Sequence, residues 1–112
     1  MEKEIRISIP KTKKAIYGIW RGSLKQPLVI FVHGLCSHPN EHIFYNGARF
    51  FEKRGFATFR PALYDHKKDA RTLIECSLLI HAKDLDTVVA FFRKKGVKRI
   101  AVVGHSYGGA TI

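Results

Sequence analysis

The stretch that decides the fold is Lys98-Arg99-Ile100-Ala101-Val102-Val103-Gly104-His105-Ser106-Tyr107-Gly108-Gly109-Ala110. Apolar residues, two of them consecutive valines, run into a glycine. A serine follows with glycine two places before it and two places after, and then come small residues suited to opening a helix. This G-x-S-x-G spacing needs small flanks because the chain reverses sharply from strand to helix there. Bulk at position 104 or 108 would collide across the turn. Such a turn lifts the Ser106 hydroxyl above the end of a sheet on a strained backbone, a place suited to a nucleophile. The bare five-residue pattern is weak evidence, so its surroundings decide what it means.

Working outward, Pro27-Leu28-Val29-Ile30-Phe31-Val32-His33-Gly34 is a continuous run of large and β-branched residues ended by glycine. It predicts a strand buried on both faces, as in a parallel sheet. His42 to Arg54 carries Phe44, Ala48 and Phe51 at helical spacing, and Lys53-Arg54-Gly55 marks its end. Phe56 to Phe59 reads as a short strand stopped by Pro61, and Leu63 to Thr72 as polar chain without a regular element. From Ser77, a plausible N-cap, Leu78, Ala82, Leu85, Val89 and Phe92 lie on one stripe of a helix that closes at Gly96. Lys98 to Val103 reads as a second buried strand. At the other end, Ile5, Ile7 and Ile9 alternate up to Pro10, and Ala15 to Trp20 resumes apolar character, which predicts an antiparallel hairpin. Strand, helix, strand, helix, strand is the order of an α/β protein with parallel strands and crossover connections.

Two loops then fall at the ends of parallel strands. One follows His33-Gly34 and begins with Leu35, and the other carries Ser106-Tyr107. An acyl-transfer serine needs two backbone N–H groups for its oxyanion, one just after the nucleophile and one from the loop after the earlier strand. Tyr107 and Leu35 occupy those places.

On these residues the chain resembles the α/β-hydrolase superfamily, and within it the bacterial serine aminopeptidase-like and esterase-like hydrolases. The resemblance covers about Ala15 to the end and rests on Val29 to Gly34, the helix Leu78 to Phe92 and Ile100 to Gly109. It implies the N-terminal portion of an α/β-hydrolase fold, a hairpin leading into a mostly parallel sheet flanked by helices. Ser106 would be the nucleophile on the nucleophile elbow, and the amides of Leu35 and Tyr107 would form the oxyanion hole. His33, Gly34, Gly104, His105 and Gly108 would support them. No metal or organic cofactor is implied. The substrate would be a small ester, thioester or amide, opened through an acyl-enzyme.

The family orders its triad as serine, acid, histidine. After Ser106 this sequence has only Tyr107, Gly108, Gly109, Ala110, Thr111 and Ile112, so the triad acid and histidine are absent from it. The expectation is therefore one partial domain over residues 1–112, ending just past the elbow, with an open sheet edge that invites self-association. The alternative is an inactive hydrolase half or interaction fragment.

The remaining histidines and a cysteine bear on the missing roles. His105 neighbours Ser106 and is expected to pack beside the turn, and His33 to brace the oxyanion loop. Asp65-His66, in the polar segment, is the one conceivable internal acid–base pair. His38, His42 and His81 are expected at the surface. Cys36 reads as a small packed residue, because nothing in the sequence lowers its thiol pKa. Gly104 to Thr111 has phosphate-loop spacing, but alanine stands at 110 where the lysine belongs, so a nucleotide site is rejected.

Composition agrees with a globular chain: 112 residues, 46% hydrophobic, 26% charged and 9 Gly. No apolar run exceeds five residues, Leu28 to Val32 being one, far short of the roughly 20 that a spanning helix needs. The charged start Met1-Glu2-Lys3-Glu4 does not read as a secretory signal, and Cys36 and Cys76 make no CxxC, which suits a cytoplasmic setting. The net charge of +11 is spread along the chain without interleaved stacking aromatics, so nucleic acid is not an expected partner.

Overall fold

The computed structural model describes residues 2–34, 38–105 and 107–112, the last stretch without the Tyr107 side chain. Five strands form one sheet in the order β1-β2-β4-β3-β5. They are β1 (Lys3–Ser8), β2 (Ala15–Arg21), β3 (Leu28–Val32), β4 (Ala57–Ala62) and β5 (Ile100–Gly104), joined by helices α1 (His42–Glu52) and α2 (Leu78–Lys94) and followed by the short α3 (Tyr107–Thr111). β1 and β2 form the expected hairpin, with Ile7 opposite Ile16. β2 pairs antiparallel with β4, while β3 runs parallel to both β4 and β5.

The continuous apolar run of β3 is explained by its central position, and all five of its residues are buried. Its two faces feed two cores. Leu28, Ile30 and Val32 join Ile7, Ile16, Trp20, Phe59 and the α2 residues Leu85, Val88 and Phe92. Trp20 stacks on Phe92 at 5.1 Å, and Phe59 meets the same ring edge-on at 4.9 Å. Val29 and Phe31 point the other way, toward Phe44 and Ala48 of α1. The two helices therefore cover opposite faces of the sheet.

Several boundaries and faces differ from the sequence reading. β4 does not stop at Pro61 but continues to Ala62, with Pro61 opposite Gly18 of β2. The ladder between β3 and β4 has already ended at Ile30–Phe59, so the N–H that proline lacks is not needed on that side. α2 starts at the expected cap, with Ser77 Oγ accepting the Ile80 N–H at 3.2 Å, but its buried face is His81, Asp84, Leu85, Val88 and Phe92. Leu78 is 43% exposed. β5 is not buried throughout. It is an edge strand whose Ile100 and Val102 pack on the α2 core while Ala101 and Val103 are exposed, because α1 packs over β3 and β4 and leaves that face of β5 uncovered.

Candidate functional site

From β3 the chain passes through α1 to β4 on one side of β3, then through α2 to β5 on the other side. The loops leaving the C-terminal ends of β3 and β5 therefore diverge. In open α/β sheets the crevice between such loops is where ligands bind. His33 and Gly34 open one of these loops and His105 opens the other.

The turn between β5 and α3 is packed against the end of β3. Val32 and Gly104 are the last paired residues of the two strands. The His105 N–H donates to Val32 O at 3.2 Å, and the Gly108 N–H donates to His105 O at 2.9 Å. A Cβ at Gly104 would lie 2.6 Å from the Gly108 carbonyl carbon and 2.7 Å from Gly109 Cα. One at Gly108 would fall inside contact of Val32 O and 2.7 Å from His33 O. Both flanking glycines are thus required by close backbone approach, for the reason the spacing suggested. Gly109 has no such constraint, its nearest neighbour being 3.8 Å away.

His33 is 1% exposed and braces the first loop from both ring nitrogens. Nε2 accepts the Leu63 N–H at 3.0 Å, which leaves Nδ1 to carry the proton and donate it to Gly34 O at 2.9 Å. The ring is therefore neutral, and burial holds its pKa below the ordinary histidine value. Tyr64 meets it edge-on at 5.2 Å, and His81 stacks on Tyr64 at 6.2 Å. His81 is not at the surface as expected; it is 1% exposed, on the face of α2 turned to the sheet, and desolvation lowers its pKa too.

Two clefts open beside this crevice. One, of ≈ 750 Å³, is lined by His38, Asn40, Tyr64, Asp65, His66 and Lys68 among others. The second, of ≈ 530 Å³, is lined by His38, Asn40, Glu41, His42, Ile43 and His105. The segment His38 to Glu41 divides them. Arg60 of β4, 1% exposed, donates to Pro39 O and Asn40 Oδ1, both at 3.4 Å, and is balanced by Glu2 at 2.9 Å. Arg71 secures the opposite wall. It donates to both Asp84 oxygens, at 2.6 and 3.1 Å, while its carbonyl accepts the Asp65 N–H at 2.9 Å. The sequence reading missed Arg60, Tyr64, Arg71 and Asp84. A charged residue inside a strand and an acid on an amphipathic helix were the signals available.

Of the residues expected at the site, Leu35, Cys36 and Ser106 lie outside the described residues, as does the Tyr107 side chain. His38 and His42 are exposed, as expected. His105 is exposed as well, with its ring edge-on to Phe44 at 6.2 Å. The Asp65-His66 pair is not assembled as an acid–base pair. Asp65 accepts the backbone N–H of His66 at 2.7 Å and pairs with Lys67 at 3.5 Å, and no hydrogen bond joins its carboxylate to the His66 ring. Cys76 is a half-buried free thiol whose pKa burial pushes up. Among the described residues no group of three His, Cys, Asp or Glu side chains is placed to hold a metal ion, and no helix is long and apolar enough to cross a membrane.

Known proteins with this arrangement share the fold along most of the chain. The structure is similar to Est1E from Butyrivibrio proteoclasticus, solved with ferulic acid bound, at a TM-score of 0.83 and 24% identity over 96% of this chain and 44% of that one. It is similar to the Pyrococcus furiosus esterase Pf2001 at 0.83 and 22% over 99% and 44%. It also resembles a thioesterase domain from the curacin biosynthetic pathway at 0.75 and 20% over 96% and 38%. The chain thus spans less than half the length of each of these three. No curated protein matches it. The sequence model of the alpha/beta hydrolase fold matches residues 27–112, from the start of β3 through both crossovers and β5 to the end of α3. With that match laid over the switch-point crevice and its two obligatory glycines, the chain belongs to the α/β-hydrolase fold family.

Proposed function

We propose that this chain supplies the nucleophile half of a serine hydrolase acting on a carboxylic ester, thioester or amide. Ser106 attacks the carbonyl, and the Leu35 and Tyr107 amides hold the oxyanion of the tetrahedral intermediate. A histidine takes the serine proton and later returns it to the leaving group. An acid orients that histidine. Both partners are proposed to come from the portion of a complete hydrolase that this chain does not span. The observation that carries the reading is the absence of room for a Cβ at Gly108, packed against Val32 O and His33 O beside a β3 end braced by neutral His33. That packing is what a strand-to-helix turn presenting a serine requires. The location proposed is cytoplasmic.

The 112 residues alone are proposed to turn over activated esters no faster than their Ser106→Ala variant. Loss of the base costs on the order of a million-fold in a triad enzyme. The uncoupled Asp65 and His66 support this reading. The open β5 edge, with Val103 41% exposed, supports self-association of the isolated chain.

The test is labelling by a fluorophosphonate probe in a complete hydrolase that contains this chain. Labelling is expected to vanish with Ser106→Ala and to persist with Cys36→Ala. Labelling that survives Ser106→Ala places the nucleophile elsewhere and ends the proposal.

A further inference from the structure

The end of the sheet opposite the candidate site holds a second concave feature. There the N-terminal ends of β3 and β5 lie side by side, with the Leu28 N–H donating to Arg99 O at 2.9 Å. The segments entering the two strands form a cleft of ≈ 600 Å³ whose lining includes Leu24, Lys25, Pro27, Lys95, Lys98 and Arg99. Every charged side chain lining it is a cation. None of the four takes part in an ion pair, since the pairs among the described residues use Arg6, Lys14, Arg21, Arg60, Lys67 and Arg71.

A helix C-terminus attracts basic residues for its own sake, and this accounts for Arg93, Lys94 and Lys95 at the end of α2. It does not account for Lys25, Lys98 and Arg99, which lie on no helix. The backbone under them is fixed. Gly96 turns at φ +100°, and the Val97 N–H closes onto Phe92 O at 3.0 Å. Gln26 accepts the Ser23 N–H at 2.8 Å and donates to Gly55 O at 3.1 Å. The backbone that carries the four like charges is thus fixed while their side chains are exposed, so ordering on binding falls on the side chains alone.

We propose that this cleft binds a small ligand carrying two adjacent phosphate groups. A terminal phosphate carries on the order of −1.5 to −2 charge and an adjacent bridged one about −1, so two adjacent groups offset most of the charge of four cations. Arg99 offers a planar fork for bidentate contact, and the lysines offer mobile point charges. The volume lies in the range of small-molecule sites, which favours a compact ligand over an extended acidic segment. No aromatic side chain lines the cleft, so the ligand is read through its phosphates and not through a stacked base. The site is independent of the chemistry proposed for Ser106, being at the other end of the strands.

The experiment is calorimetric titration of pyrophosphate into the 112-residue chain at about 50 and 200 mM salt, where a phosphate-directed site weakens as salt rises. Binding is expected, with at least about tenfold loss in Lys98→Gln/Arg99→Gln, as removal of two charge-assisted contacts implies. Lys13→Gln/Lys68→Gln removes the same net charge at the opposite end of the sheet and is expected to change binding less than about twofold. Circular dichroism checks each fold, and Lys25→Gln carries the test if the double variant fails to fold. Equal weakening by both double variants would reduce the effect to net charge and overturn the site. Absence of pyrophosphate binding would overturn it too. Tighter binding of a glutamate-rich peptide than of pyrophosphate, with the same variant dependence, would replace it with an acidic protein partner.

Discussion

Replacing Arg71 with alanine isolates a buried carboxylate. Asp84 is 1% exposed on the inner face of α2, and its two oxygens accept from Arg71 Nε and Nη2 at 2.6 and 3.1 Å. The same contact holds the guanidinium more firmly protonated than usual. Removing one member of such a pair costs about 3–5 kcal/mol, because the survivor keeps its desolvation without its partner. For a chain of this size that is a large share of the whole stability, and about 12–20 °C of melting temperature at about 4 °C per kcal/mol. Urea denaturation followed by far-ultraviolet circular dichroism, at one protein concentration and neutral pH, measures it. Arg71→Met with Asp84→Leu should recover most of the loss, since no charge then remains buried. An Arg71→Ala protein within about 0.5 kcal/mol of the parent at neutral pH would refute the reasoning, by showing that the pair carries no net weight.

Burial depresses both His33 and His81, so each contributes stability that is complete above about pH 6.5 and lost as pH falls toward the depressed folded values. Urea midpoints should drop between about pH 7.5 and pH 5, and a flat profile would contradict the neutral assignment of His33. Adjacent glycines should respond in opposite ways. Gly108→Ala should displace α3 from β3 and cost about 1–3 kcal/mol in denaturation experiments, whereas Gly109→Ala should be neutral or gain up to about 1 kcal/mol of helix propensity. Equal behaviour of the two would show that the turn has slack. Val103→Lys, a charge set on the exposed face of the edge strand, should lower the sedimentation-measured association of the isolated chain; unchanged association would move the contact away from β5.

The elements easiest to read were those whose local pattern and tertiary role coincide. β3 is central and buried on both faces, and its unbroken apolar run says so. Ser77 caps α2 through a bond to Ile80, an interaction confined to neighbouring residues. The flanking glycines of the serine motif are local too, since their constraint comes from a turn of five residues meeting the adjacent strand end. The readings that failed were those needing a distant partner. His81 looks like a solvent-facing residue of an amphipathic helix until Tyr64 is brought against it, and nothing local singles out Asp84 until Arg71 meets it. Pro61 looks like a strand end until the register shows that the ladder on one side has already finished.

From the order of its elements and the spacing around Ser106, the sequence by itself determined the α/β class, the hairpin and the position of the strand-to-helix turn. These follow from periodicity and small-residue sterics, which act over a few residues. Only the tertiary structure decided which face of α2 is buried, which residues of β5 are left uncovered, and that Asp65 and His66 do not pair through their side chains. It alone gathered Lys25, Lys98 and Arg99 into one cleft. Each of these depends on groups far apart in the chain, and their meeting is set by packing and charge compensation across the sheet. No pattern within a single segment encodes that.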